Sequence, residues 1–114
     1  MVEAEEDLIK ATVRGFGRSI ILWLVSQKSM SGYTITKEMG RLTGQSFSSG
    51  TVYPLLYELE EREFIRGEWI QRGRRRIKHY LITEKGRALL KRLRGLFEMP
   101  VREVLKDLLG ENKS

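Results

Sequence analysis

The chain has 114 residues, of which 32% are charged and 40% hydrophobic, and a formal net charge of +6 at pH 7. This size and balance predict a single soluble domain with a modest core, and the positive charge favours a polyanionic partner. The absence of cysteine and the single histidine, His79, exclude disulfides, a thiol nucleophile and a Cys-ligated metal, so we expect no enzyme, no metal and no cofactor.

The first part of the chain predicts two helices. The first covers 3–14 and ends at Gly15 and Gly17, and the second covers 16–27 and is apolar nearly all round, with Trp23 in the core. The leading residues are acidic, unlike a secretory leader, and the longest apolar run is too short to span a bilayer. We therefore expect a cytoplasmic protein with no membrane contact.

A helix-turn-helix is predicted next. Lys28 to Met30 form a turn, Ser31 caps a helix that runs to about Leu42, and Gly44 ends that helix. The residues expected on its buried side are Tyr33, Ile35, Met39 and Leu42. On its own this arrangement is a weak signal, because many helical proteins contain it.

The helix after this turn has an uncharged beginning and an acidic end. Ser48 and Ser49 are capping residues, and Pro54 places the start between Ser49 and Thr51. Its apolar stripe consists of Val52, Leu55, Leu56 and Leu59, which leaves Ser49, Tyr53, Pro54 and Tyr57 outside. A free helix N-terminus of this kind suits an approaching anion. The alternative is an ordinary amphipathic helix with a solvated glutamate face.

Two runs rich in β-branched and aromatic residues, 68–72 and 76–82, flank a Gly-Arg-Arg tip and predict a hairpin wing. Between 64 and 83 the chain has six basic residues and one acidic residue. Adjacent arginines on a loop tip repel one another unless an anion is near. We therefore expect this wing to contact a polyanion, although a solvated polar turn is the alternative.

The chain ends in a leucine-rich helix over 84–114, capped by Thr83 and kinked by Pro100 near Glu98 or Met99. Its apolar side exceeds what a small core covers, which favours a symmetric homodimer over a stripe that folds back on its own domain. The residues predicted to form the dimer interface, including one from the first helix, are Leu8, Leu93, Leu96, Phe97, Val101, Val104, Leu105 and Leu108.

Together these elements predict a winged helix-turn-helix: a mainly α fold with a small antiparallel β-hairpin wing (α+β), a DNA-binding domain over 1–83 and a dimerisation helix over 84–114. Four motifs in this order resemble PadR-type transcriptional regulators, and they are Ser31-Gly32-Tyr33, the run from Ser49 to Leu56, Leu59-Glu60, and the run from Lys78 to Gly86. The sequence departs from the family at Phe64, where glycine is usual. The short tail resembles the compact branch of the family.

The resemblance implies a dimeric repressor or other regulator on a pseudopalindromic operator, with the helix from Ser49 in the major groove of double-stranded DNA. Independently of the resemblance, this helix offers hydroxyl and backbone N–H groups for contacts to DNA. The wing offers phosphate contacts whose contribution to affinity depends on salt. The predicted DNA-binding residues are Ser48, Ser49, Gly50, Thr51, Tyr53, Pro54, Arg72, Arg74, Arg75, Arg76 and Lys78.

The resemblance also implies a small aromatic effector in a cavity at the dimer interface, with Trp23, Phe97 and Met99 as candidate lining residues. The same residues are equally compatible with an ordinary core, and nothing in the sequence selects a ligand.

Two further hypotheses stay open. The first is a winged-helix module whose basic hairpin binds an acidic protein, since four glutamates at 58, 60, 61 and 63 would repel DNA if they faced it. The second is an architectural protein that binds nucleic acid without sequence preference. Replacing Arg74, Arg75 and Arg76 with alanine distinguishes the DNA-binding regulator from the protein-binding module, because duplex binding should collapse only for the regulator.

Overall fold

A computed structural model describes residues 2–44, 46–98 and 101–111 of the protein. Within these residues the helices are α1 (Val2–Gln27), α2 (Gly32–Thr43), α3 (Ser49–Glu61), α4 (Glu84–Glu98) and α5 (Val101–Leu108), and the strands are β1 (Met30–Ser31), β2 (Ile65–Arg72) and β3 (Arg75–Ile82). The predicted fold class, mainly α with a small antiparallel sheet, is confirmed. The elements follow one another in the order of a winged helix-turn-helix.

The two helices predicted before residue 28 are one continuous helix, α1, so the prediction of a break at Gly15 and Gly17 was wrong. Glycine in a helix interior costs about 1 kcal/mol relative to alanine, which tertiary packing readily offsets. A Cβ on Gly17 would lie 3.2 Å from Leu55 Cδ1 and 3.3 Å from Met39 Cε, so glycine here lets α1 pack closely on the other helices. Trp23 is 46% exposed rather than part of the core.

The predicted helix-turn-helix is present. Ser31 Oγ accepts a hydrogen bond from the Thr34 N–H at 3.1 Å, and Gly44, with φ 71°, closes α2. Helix α3 begins at Ser49 as predicted, and the extended residue Ser48 precedes it. The burial predicted for α2 was wrong at Tyr33 and Leu42, which are both exposed.

The sheet has three strands in the order β1-β3-β2, all antiparallel, where the sequence predicted only the two strands of the hairpin. Strand β1 was predicted as part of a turn, because two residues show no periodicity. It exists through its pairing with β3, in which Met30 lies opposite Tyr80. The strands of the wing are also longer than predicted, and Gly73, with φ 63°, opens the two-residue tip between them.

The chain leaves α3 through Glu63, which adopts the left-handed conformation, with φ 64°. The Phe64 N–H then donates to the Leu59 carbonyl oxygen at 2.9 Å, and the chain enters β2. The position that requires positive φ is therefore Glu63, a residue for which this conformation is strained.

The core is a single cluster whose hydrophobic members all lie between Ile21 and Tyr80. Its buried residues are Ile21, Leu22, Leu24, Val25, Met30, Ile35, Met39, Val52, Leu55, Leu56, Leu59, Ile65 and Tyr80. The predicted stripe of α3 is entirely among them. The core therefore fixes α3 against α1, α2 and the base of the wing.

The C-terminal region consists of two helices, where the sequence predicted one. Helix α4 is capped as predicted, with the Gly86 N–H donating to Thr83 Oγ1 at 3.0 Å. Helix α4 is described to Glu98 and α5 from Val101. The kink predicted near Glu98 or Met99 falls at Met99 and Pro100, which lie outside the described residues. The radius of gyration is 16.1 Å, against about 13 Å for a compact chain of this length, so the molecule is elongated.

Candidate nucleic-acid interface

The first turn of α3 presents an uncharged, accessible surface. Ser48, Ser49, Gly50 and Pro54 are exposed, and no acidic residue lies in this turn. Ser48 Oγ is hydrogen-bonded to Thr51 Oγ1 at 3.3 Å. The partial positive charge of the helix N-terminus is therefore available to an anion, with hydroxyl groups beside it.

Two of the glutamates of α3 are paired with cations of other elements. Glu58 accepts a hydrogen bond from Arg18 of α1, and this bond lowers the pKa of the Glu58 carboxyl from its usual value. Glu60 accepts a hydrogen bond from Lys78 Nζ at 3.0 Å. The negative charge that argued for a protein-binding module is thus partly neutralised within the domain.

The four predicted arginines of the wing, at 72, 74, 75 and 76, are exposed on β2, the tip and β3. Lys78 differs from them, because its side chain is only 25% exposed and is paired with Glu60. The guanidinium carbon of Arg76 lies 5.2 Å from the centre of the Trp69 ring, a cation–π contact that holds this arginine along the wing.

A cleft of about 660 Å³ separates the wing from α2 and α3. The residues that line it are Ser31, Gly32, Tyr33, Tyr53, Tyr57, Trp69, Arg75, Arg76, Ile77, Lys78 and Tyr80. It therefore brings one predicted residue of α3, Tyr53, together with three predicted cations of the wing. Arg72 and Arg74 are exposed nearer the tip and are not part of this lining, and Ser49 lines a smaller adjoining hollow with Tyr33.

Sequence reasoning missed two exposed aromatic residues of this cleft. Tyr33 is 70% exposed and Trp69 is 59% exposed, on opposite walls. Tyr33 was expected in the core, whereas its ring lies under Lys37 Nζ at 5.7 Å. No local signal marked Trp69, because its neighbours Glu68 and Ile70 do not show which face of the strand is exposed. Interleaved aromatic rings and cations are typical of nucleic-acid surfaces.

The residues predicted at a dimer interface fall into two groups. Leu93 and Phe97 are half-buried against their own chain, and the Phe97 ring stacks on Phe16 with centroids 5.9 Å apart. The residues more than half exposed are Leu8, Leu96, Val104 and Leu108, while Val101 and Leu105 are intermediate. The stripe thus folds back on its own domain in part and leaves its remaining residues uncovered.

The two described candidates for effector binding, Trp23 and Phe97, line no common cavity. Phe97 lines a hollow of about 340 Å³ between α1 and α4. Trp23 lies half-exposed on α1, and Met99 is outside the described residues. In the described part of the chain no helix is long and apolar enough to cross a membrane, and no three potential metal ligands cluster.

Comparison with known proteins identifies this architecture. The sequence profile of the transcriptional regulator PadR-like family matches residues 21–92. An uncharacterised protein of Lysinibacillus sphaericus is 37% identical over 86 residues, which are 71% of this chain and 77% of that protein.

Solved structures give the same result. A PadR-like transcriptional regulator from Bacillus cereus superposes with a TM-score of 0.77 and 26% identity, over 87% of this chain and 96% of that one. Bacillus subtilis PadR, solved in complex with operator DNA, superposes with a TM-score of 0.60 and 29% identity, over 67% of this chain and 44% of that one. With a fold, a motif order and a sequence profile in common, the chain belongs to the PadR-like family of transcriptional regulators.

Proposed function

We propose that this transcriptional regulator is a repressor that binds a pseudopalindromic DNA operator as a homodimer. The observation that carries the proposal is one cleft in which Tyr53 of α3 faces the exposed Arg75 and Arg76 of the wing. Ser49, in the uncharged first turn of α3, lines an adjoining hollow with the same tyrosine. The operator complex of Bacillus subtilis PadR, a relative of the same fold, supports DNA as the partner.

In this proposal α3 enters the major groove by its first turn. Ser49 and Thr51 offer hydroxyl groups to base edges and phosphates, and Gly50 and Pro54 let the DNA approach closely. The half-buried Tyr53 packs its hydroxyl against Gly32 of α2 and supports this turn from behind. Each lost base contact should cost about 1–3 kcal/mol and relax specificity at one position. This helix therefore supplies the sequence discrimination.

The wing supplies affinity that depends on salt. Arg72, Arg74, Arg75 and Arg76 are exposed and would lie along the adjacent backbone or in the minor groove. Each phosphate contact that is lost should reduce the slope of log affinity against log salt by about one, for every sequence alike.

The dimer would form through the uncovered apolar residues of α1, α4 and α5. Leu8, Leu96, Val104 and Leu108 are each more than half exposed on an elongated chain, and a second copy related by a two-fold axis would cover them. The hollow between α1 and α4, where Phe97 stacks on Phe16, is where an aromatic effector would act on this interface.

The test is a salt-series titration of the protein against the DNA upstream of its own gene and against a scrambled duplex. We expect the upstream DNA to bind about a thousandfold more tightly, or better, as specific regulators do. Equal, weak binding of both duplexes with a steep salt slope would leave only an architectural polyanion surface.

A triple variant sharpens this test. Replacing Arg74, Arg75 and Arg76 with alanine should reduce the salt slope by about three, because three phosphate contacts are lost. The matched control replaces Arg87, Lys91 and Arg92 on the exposed face of α4, which removes the same charge. A slope that falls equally in both variants would show that only net charge matters. An unchanged slope in the wing variant would favour the protein-binding module.

A further inference from the structure

Lys78 lies among the cations of the wing but is held differently from them. Its Nζ is 3.0 Å from Glu60 Oε1, and the side chains are only 25% and 31% exposed. The same Nζ lies 5.3 Å from the Tyr80 ring and 5.9 Å from the Trp69 ring. The ammonium group therefore faces the protein, with a carboxylate and two aromatic rings around it.

The contact joins two elements that must cooperate on DNA. Glu60 lies near the C-terminal end of α3, and Lys78 lies in the middle of β3, four residues after the tip of the wing. The core holds the base of the wing through Ile65 and Tyr80, whereas this pair connects α3 to the wing closer to the tip. Its geometry therefore affects how the wing is inclined to α3.

Gly67 provides the space for this contact. In the sheet Gly67 pairs with Tyr80 and Trp69 pairs with Lys78, so all four side-chain positions share the face towards α3. A Cβ at position 67 would lie 2.1 Å from Lys78 Cε and 2.9 Å from Glu60 Oε2. A methyl group would thus occupy the space through which the lysine side chain reaches the glutamate.

The surroundings of Tyr80 support this arrangement. Burial, and after it the nearby Glu60 carboxylate, raise the pKa of Tyr80 to about 12. The carboxylate thus lies close enough to affect a core residue of β3. Lys78 neutralises that carboxylate, so the pair is part of the packing between α3 and the sheet.

We propose that the Glu60–Lys78 pair sets the inclination of the wing to α3, and that Lys78 is a positioning residue for DNA recognition rather than a phosphate ligand. This inference rests on the proposed function. When the pair is broken, the arginines keep their charge but lose their fixed position relative to the major-groove helix.

The experiment compares binding to a duplex that the wild-type protein selects from a random library with binding to a scrambled duplex. Gly67→Ala displaces the lysine without changing any charge, and Gly95→Ala is its control, since a Cβ there meets nothing within 4 Å. Glu60→Gln removes the carboxylate, and the exposed Glu61→Gln matches its change of charge. Lys78→Met and the double variant of Glu60→Gln with Lys78→Met complete the cycle.

We expect Gly67→Ala, Glu60→Gln and Lys78→Met each to lower the ratio of the two affinities by about tenfold, as coupled contacts typically do. The controls should keep the wild-type ratio, and the double variant should lose no more than either single variant. The salt slope of Lys78→Met should equal that of the wild type. A slope reduced by about one, with both duplexes weakened alike, would instead make Lys78 a phosphate ligand and overturn the proposal.

A second measurement does not depend on DNA. Amide hydrogen exchange in β2 and β3 should be faster in Gly67→Ala and Glu60→Gln than in their controls, because the wing is less firmly held. Unchanged exchange in folded variants would contradict the proposed role of the pair. If the wild-type protein selects no sequence at all, the proposed function fails, while the exchange measurement still tests the contact.

Discussion

The molecule has a body, residues 17–82, and helical arms outside it, residues 2–16 and 84–111. The two regions differ in how far their apolar side chains are exposed. Every buried hydrophobic residue of the described chain lies in the body. The arms carry large apolar residues that are mostly exposed, and Val2, Leu8, Ile9, Leu96, Val104, Leu108 and Leu109 are each exposed by more than half.

The difference shows which part contains the buried core. The body has a hydrophobic core, a capped helix α2 and a paired sheet. Its buried side chains and the backbone groups of its sheet therefore have partners within the body. The arms extend the molecule to 57 Å along its longest axis and leave an apolar surface without cover. Such a surface usually marks an interface, which is why we place the second copy of the chain there.

The largest expected effect comes from opening a cavity in the body. Leu56 is fully buried, and Leu56→Ala should reduce the free energy of unfolding by about 2–5 kcal/mol, through lost burial and the cavity left behind. Leu108→Ala, at a residue 77% exposed in the arms, is the control. Urea denaturation at low protein concentration measures both variants, and an equal loss would contradict the division into body and arms.

The next effect should appear in assembly. A leucine that becomes buried contributes about 1.5–3 kcal/mol, and a two-fold interface contains it twice. Leu96→Asn should therefore raise the dimer dissociation constant a hundredfold or more, by about 3 kcal/mol. Sedimentation equilibrium measures this constant. The exposed Lys91→Asn on the same helix should leave it unchanged, and a monomeric wild-type protein would refute the assignment.

Local patterns in the sequence were sufficient for much of the body. The caps at Ser31 and Thr83, the left-handed Gly44 and the stripe of α3 depend on residues within one or two turns, and each was predicted. The strand β1 was not, because pairing with a distant strand defines it. The continuity of α1 through Gly17 was missed for a related reason, since packing on other helices outweighs the local propensity.

For the site, the sequence predicted which residue types are present but not how all of them are arranged. The exposed arginines of the wing and the uncharged start of α3 follow from the sequence itself. The inward position of Lys78 and the exposure of Trp69 depend on the sheet register and on the angle of α3, which no local pattern encodes. Cations that belong to the same strand therefore have different environments.

A smaller effect, which should stabilise the protein, tests the conformation of the chain where it leaves α3. Glu63 has φ 64°, which costs a residue with a Cβ about 1 kcal/mol. Glu63→Gly should therefore raise the free energy of unfolding, but by less than that amount, because the greater freedom of the unfolded chain offsets part of the gain. Thermal denaturation measures the change. Glu61→Gly, within α3, should instead destabilise, and the same sign for both would contradict the assigned strain.

The smallest effect concerns the ion pair that holds α1 to α3 within the body. The Arg18 hydrogen bond lowers the pKa of Glu58, so its contribution is present above the unfolded-state pKa and is lost as pH falls through the folded-state value. Arg18→Met should cost about 0.5 kcal/mol at pH 7, a small amount because both groups are about one-third exposed, and less near pH 3.

Urea denaturation at the two pH values measures this difference. Arg41→Met, which breaks a more exposed pair with Glu38, is the control and should show a smaller change. A cost for Arg18→Met that is the same at both pH values would assign the effect to packing of the arginine stem rather than to the charge of Glu58.

Hydroxyl-radical footprinting of the protein on its selected duplex tests the central claim most directly, since it examines DNA recognition by the body and pairing by the arms together. We predict two protected segments related by a two-fold axis, with centres about 10 base pairs, or a multiple of that distance, apart. Protection of a single segment, or protection no stronger than on random duplex, would contradict the account of a dimeric, sequence-specific regulator.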